Sequence, residues 1–150
     1  MSLSLSAPLS LYSIPVVWFV GFFPTIQKGA LVNQTVGYNN VAPRGNVARL
    51  TEKHPEIAAR AARMESAHMN GNETFPLWAI AILAANYAQI DNYTLNIAAL
   101  SYTAFRILYN WVYINQKTQV QGYMRTLVWT IGIAHPIVLL FKAANAIRLA

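Results

Sequence analysis

The first 27 residues carry no charged side chain, and three later stretches of similar length carry almost none: Thr74–Ile90, Tyr93–Ile114 and Tyr123–Phe141. This pattern decides most of what the chain can become. A bilayer core of about 30 Å is crossed by about 20 residues of helix, because a helix satisfies its own backbone hydrogen bonds. A chain of 150 residues holds about four such spans with short connections. Composition agrees: 55% of residues are hydrophobic and 11% charged, against about 25% charged in soluble domains. The expected architecture is an all-α membrane protein, a bundle of four transmembrane helices forming one domain over residues 1–150.

The run Leu9–Ile26 has no basic segment before it and no small-residue cleavage pattern. It reads as a first transmembrane helix rather than a signal peptide, bent near Pro24 and extending through Ala30–Val36. Residues 37–55 read as one loop, rich in Gly, Asn and Pro. A second helix starts near Thr51 or at His54–Pro55, where proline suits the first helical position. Its Ala-rich, charged part, Glu56–Asn70, forms the wet end of the second span. Asp91–Asn92 makes a short turn, and Asn115–Gln121 connects the third and fourth spans.

Six of the eleven basic residues, Lys28, Arg44, Arg49, Lys53, Arg60 and Arg63, lie between spans one and two. Lys117 and Arg125 lie between spans three and four. The positive-inside rule therefore places both termini on the outer or lumenal face, with Lys142 and Arg148 as the exceptions. The net charge of +6 does not imply nucleic-acid binding, because the bases sit between apolar stretches instead of lining one face. There is no cysteine, so thiol chemistry requires a sulfur brought by a small molecule. His54, His68 and His135 are far apart, and no metal site is expected.

Against this apolar background the polar residues stand out. Arg63, Ser66, Asn70 and Glu73 recur at helical spacing and form one stripe that ends where the second apolar run begins. Arg106, Tyr109 and Tyr113 share a face of the third helix. An ionisable side chain deep in a bilayer costs roughly 2.5–3.5 kcal/mol on insertion scales, so such groups normally pair or line a site. Glu73 is the acidic residue at comparable depth, and an interhelical Arg106–Glu73 pair is expected. Arg125 stands where the fourth span begins, suited either to snorkelling or to holding an anion or thiolate beside Tyr113. His135–Pro136 reads as a kink with a satisfied histidine, and Asn86, Asn110 and Asn145 as interhelical hydrogen-bonders.

These stretches resemble a known family. Arg63-Met-Glu-Ser-Ala-His-Met-Asn-Gly-Asn-Glu-Thr-Phe-Pro76 is similar to the second-helix signature of the MAPEG family, membrane-associated proteins of eicosanoid and glutathione metabolism. Arg106-Ile-Leu-Tyr-Asn-Trp-Val-Tyr113 resembles its third-helix motif. Gln121-Gly-Tyr-Met-Arg-Thr126 resembles the start of its fourth helix. The three motifs occur in order within the four-span layout, so the resemblance covers nearly the whole chain, with a likeness to the microbial and fungal members.

The resemblance implies a homotrimer of four-helix protomers that binds glutathione, as co-substrate, between subunits near the cytoplasmic face. It implies Arg125 and Tyr113 as catalytic residues, with Arg125 stabilising the thiolate. It implies Arg63, His68, Asn70, Glu73, Arg106, Tyr109, Tyr113 and Thr126 as glutathione-binding residues. The implied activity is a membrane glutathione S-transferase, with peroxidase activity a second possibility, acting on lipophilic electrophiles held in a groove among membrane lipid. A multi-pass protein of the endoplasmic reticulum is implied for a eukaryotic source. The alternative is a non-catalytic lipid-binding scaffold of the same fold. Ser66, where glutathione-using members of the eicosanoid branch often have arginine, favours that alternative. Retention of Arg125, Tyr113, Asn70 and Glu73 together argues against it. The Tyr113–Arg125 connection is about five residues longer than in the cysteinyl-leukotriene synthase, which points to the microbial and fungal members. A small transporter would need a polar path across the bilayer, which the one-sided polar groups do not provide.

Overall fold

The computed structural model describes residues 4–149. Four long helices dominate: α1 (Ser13–Val36), α3 (Pro55–Tyr87), α4 (Asn92–Asn115) and α5 (Gln119–Leu149), with a short α2 (Asn46–Thr51) between the first two. One-turn 3₁₀ segments lie at Ser10–Tyr12 and Pro43–Gly45. There is no strand among the described residues. The expected loop at residues 37–55 is thus corrected. It is ordered by Asn46, whose side chain donates to the carbonyls of Asn39 and Pro43 and accepts from the Asn39 amide. Leu50 of α2 is buried against Val32, Ala58 and Ala61.

α3 begins with Pro55 at its first position, where the missing amide hydrogen costs nothing. It continues without interruption through Gly71 and Pro76 to Tyr87, 33 residues in all. The charged Glu56–Asn70 segment and the apolar segment after it are therefore one rod. α4 starts at an Asp91 cap, whose carboxylate accepts from the Thr94 amide at 2.8 Å.

The long helices run up and down. Val17 of α1 packs beside Trp78 of α3, while Val32 packs beside Ala58 and Ala61, so α1 and α3 are antiparallel. Tyr102 stacks on Trp78 at 4.2 Å, and Ile114 meets Met64 and Ala67, so α4 returns antiparallel to α3. The core is built on small residues. A Cβ added to Gly71 would lie 2.7 Å from the Gly21 Cα, a backbone approach that only glycine permits. Polar side chains are tied inward: the Trp78 indole donates to Ser13, and Asn96 donates to the Leu5 and Ala7 carbonyls.

Large apolar side chains cover the outside, among them Phe19, Leu100, Ile107, Trp111, Leu127 and Phe141. A water-soluble protein of this size does not normally expose so continuous an apolar surface. Two helical segments, Ser10–Val36 and Gln119–Leu149, are long and apolar enough to cross a membrane, at mean hydropathies of 1.3 and 1.7. α3 and α4 are equally long helices that carry more polar residues.

Candidate functional site

Two flanks of α3 have separate tasks. Ala67, Gly71, Thr74 and Trp78 form its buried stripe. Residues one position before that stripe, rotated by about 100°, look toward α4 and α5, and residues one position after it look toward α1. Glu65 forms an ion pair with Lys28, and the His68 Nδ1 lies 3.0 Å from the Gly21 carbonyl. His68 also meets the Phe22 ring edge-on. The structure therefore sets His68 against α1, apart from the other residues of the sequence-derived site.

Arg63 and Asn70 lie on the opposite flank. The Asn70 Oδ1 accepts from Arg106 Nη1 at 3.0 Å. Arg106 is buried, 4% exposed, and its guanidinium sits 4.9 Å from the centre of the Tyr109 ring. This corrects the expected Arg106–Glu73 pair: among the described residues the one salt bridge joins Lys28 and Glu65. The reason is height along the helix. Asn70, one turn earlier than Glu73, is the residue of that flank that reaches Arg106, whereas Glu73 is exposed beside the buried Thr74. The Arg106 guanidinium thus has an amide oxygen and a ring face as its partners, and no carboxylate among the described residues.

From Arg106 the contacts run along α4 to the start of α5. Tyr109 and Tyr113 meet edge-to-face at 5.5 Å, and the Arg125 guanidinium lies over the Tyr113 ring at 4.5 Å. Asn70, Arg106, Tyr109, Tyr113 and Arg125 thus form one connected row, with Tyr109 buried and Tyr113 half-buried.

The row ends at a cleft of about 490 Å³, lined by Arg63, Lys117, Tyr123, Arg125 and Thr126 with the residues of the α4–α5 connection. Three of its side chains are basic and none is acidic. Arg63 is fixed by donating from Nε to the Ile114 carbonyl at 3.0 Å, a bond that uses one of its five donors. The Thr126 hydroxyl donates back to the Gly122 carbonyl, and that of Ser66 to the Ala62 carbonyl. Ser66 is therefore occupied with its own helix, and Arg63, one turn earlier, brings the charge to the cleft.

Lys117 was not singled out in the sequence as a site residue. The signal that places it lies in Thr118-Gln119-Val120-Gln121. The Thr118 hydroxyl accepts from the Gln121 amide, and the Gln121 side chain accepts from the Thr118 and Lys117 amides at 3.1 and 2.6 Å. This capping box starts α5 at Gln119, several residues before the apolar run. The long Tyr113–Arg125 connection is thus mostly helix, and Arg125 reaches Tyr113 despite it.

A separate apolar groove of about 390 Å³ lies between α1 and α4, walled by Phe19, Phe23, Ile107 and Trp111, with Arg60 and Asn115 also lining it.

The basic cleft, with Tyr113 under its arginine, is suited to a small anion that carries a nucleophile or leaving group. A family model described as the MAPEG family matches residues 5–145 of the chain. No curated protein and no solved structure matches it.

Proposed function

The chain belongs to the MAPEG family and is an all-α membrane protein, and from that footing we propose that it is a membrane glutathione S-transferase. The observation that carries this reading is the cleft lined by Arg63, Lys117 and Arg125 and by no acidic side chain, with Arg125 stacked over Tyr113. Glutathione at neutral pH has two carboxylates, one ammonium group and one thiol. Arg63 and Lys117 suit the carboxylates, and the exposed Glu73 on the same flank of α3 suits the ammonium. Arg125 suits the sulfur. A guanidinium beside a thiol lowers its pKa, and the thiolate is the nucleophile.

In the reaction the glutathione thiol loses its proton and the sulfur attacks a carbon of a lipophilic electrophile. One C–S bond forms. The carbon–leaving-group bond breaks and its electron pair departs with the leaving group, or, for an activated alkene, the C=C π pair moves into the conjugated system, which then takes up a proton. The thiol proton passes to solvent. In this reading Tyr113 donates a hydrogen bond to the sulfur, and Arg125 keeps the sulfur charged. The apolar α1–α4 groove offers a surface for the second substrate.

The four long helices are read as four spans, and the assembly as a homotrimer. The cleft is open at the side of a single protomer, and a neighbouring copy would close it and complete the contacts to the tripeptide. The mass of basic residues at the Arg63–Arg125 end supports a cytoplasmic position for that end.

Calorimetry with the detergent-purified chain tests the reading. Saturable glutathione binding, weakened in Arg63→Ala, is expected. A folded, monodisperse protein that takes up no glutathione at millimolar concentration would refute it, and would leave the lipid-binding scaffold as the reading.

A further inference from the structure

We propose that the α4–α5 groove at the end of the bundle opposite Arg125 binds a long-chain fatty-acid anion, its carboxylate at Lys142 and its chain directed toward the Ser101–His135 pair. The groove encloses about 440 Å³, within the roughly 300–1,000 Å³ of small-molecule sites. Its walls are apolar, from Ile97 and Ala98 on α4 and from Ile131 and Val138 on α5. Lys142, Tyr93 and Thr94 also line it. Arg125 and Lys142 are 17 positions apart, or about 25 Å along α5, so this site and the basic cleft mark opposite ends of one helix.

Lys142 is exposed and has no carboxylate within salt-bridge distance among the described residues. Asp91 lies near enough for Lys142 to favour its charged form, but its Oδ1 accepts from the Thr94 amide and no salt bridge joins the two side chains. The ammonium is therefore open to an anion that arrives from the membrane surface. One lysine, with no arginine beside it among the lining residues, suits a monoanionic carboxylate rather than a phosphate clamp. One groove between one pair of helices suits a single chain rather than a diacyl lipid.

The groove also has a polar pair in its wall, held by the kink of α5. Pro136 has no amide hydrogen, so the Gly132 carbonyl loses its helical donor. His135 Nδ1 stands 3.2 Å from that carbonyl and 2.9 Å from the Ile131 carbonyl. Facing two acceptors, Nδ1 carries the proton, and in the neutral ring Nε2 accepts from Ser101 Oγ at 2.8 Å. The pair presents a hydrogen-bonded surface to the groove. It lies about 10 Å from Lys142 counted along α5, and about 12 Å from Tyr93 counted along α4. A chain anchored at Lys142 therefore passes the pair near its middle.

The test uses the full chain in phosphatidylcholine nanodiscs with a palmitic acid that carries a mid-chain diazirine. Photolabel is expected on α4 and α5 peptides that line the groove. Unlabelled palmitate should displace it, and palmitic acid methyl ester should not. Lys142→Gln should weaken the apparent affinity about tenfold. Val138→Trp, which fills the groove without touching the charge, should abolish the labelling while the protein stays monodisperse. Equal competition by the methyl ester, wild-type labelling in Lys142→Gln, or label spread evenly around the bundle would each overturn the proposal. None of these readouts involves glutathione, so they stand apart from the transferase reading.

Discussion

Asn110 of α4 donates from Nδ2 to the carbonyl oxygen of Val20 in α1, at 2.8 Å. That carbonyl is the acceptor that Pro24, four residues on, leaves without a helical donor. A proline inside an apolar helix and an asparagine inside another thus answer each other. Interhelical hydrogen bonds of this kind in membrane proteins contribute about 0.6–1.7 kcal/mol. Asn110→Leu should lower stability by that amount in a detergent unfolding titration. In a Pro24→Ala background, where the Val20 carbonyl regains an amide donor, the same substitution should cost clearly less. Equal costs in the two backgrounds would mean that the bond to Val20 does not carry the effect.

Gly71 and Gly21 let α3 and α1 touch backbone to backbone. A Cβ on Gly71 would lie 2.7 Å from the Gly21 Cα, while a Cβ on Gly21 would lie 3.3 Å from the Gly71 Cα. Gly71→Ala should therefore destabilise by about 1–3 kcal/mol, the usual cost of overpacking, and Gly21→Ala by less. The melting temperatures of the two variants, compared in one detergent, give the order. The reverse order would contradict the close approach.

Asn70 and Glu73 share a flank of α3, but only Asn70 is built into the interior. Asn70→Leu removes the acceptor of the buried Arg106, a charge-assisted bond of about 1.5–3 kcal/mol, and should lower both stability and glutathione affinity. Glu73→Gln touches an exposed carboxylate and should lower glutathione affinity with stability unchanged. Melting curves and binding isotherms for the pair separate the two effects.

Asp91 caps α4, and the Thr94 amide that it accepts from holds its pKa below the usual 3.8, with Lys142 adding to the effect. A carboxylate whose folded pKa is depressed contributes stability that is present above the unfolded value. That contribution is lost as the pH falls from about 3.8 through the folded value. Asp91→Asn keeps a capping side chain but has no proton to gain. Its stability should track the wild type near neutrality and fall less steeply below pH 4. Parallel acid limbs for the two proteins would count against the cap.

The long helices were legible because apolar runs, Pro55 and Asp91 mark their bodies and starts. α2 was not legible. Its six residues, Asn46–Thr51, sit among turn formers, and only the packing of Leu50 against α1 and α3 makes them a helix. Spacing puts Arg63, Asn70 and Glu73 on one flank of α3, but it does not say which turn of that flank is level with Arg106. Glu73 is therefore the expected partner of Arg106 where Asn70 is the actual one. Rotation about α3 separates His68 from the row: counted from Ala67 and Gly71, it falls on the α1 side. The Thr118–Gln121 capping box was present in the sequence, and it explains how Arg125 reaches Tyr113 across a long connection.

The thiol of bound glutathione gives the most direct measure of the role assigned to Arg125. Thiolate absorbance in the ultraviolet, followed against pH with saturating glutathione, reads its pKa in the complex. The wild type should hold that thiol at least about one unit below free glutathione, equivalent to about 1.4 kcal/mol, and Arg125→Ala should return it most of the way. A bound thiol with an unshifted pKa in the wild type, or an equal shift in Arg125→Ala, would contradict thiolate stabilisation by Arg125.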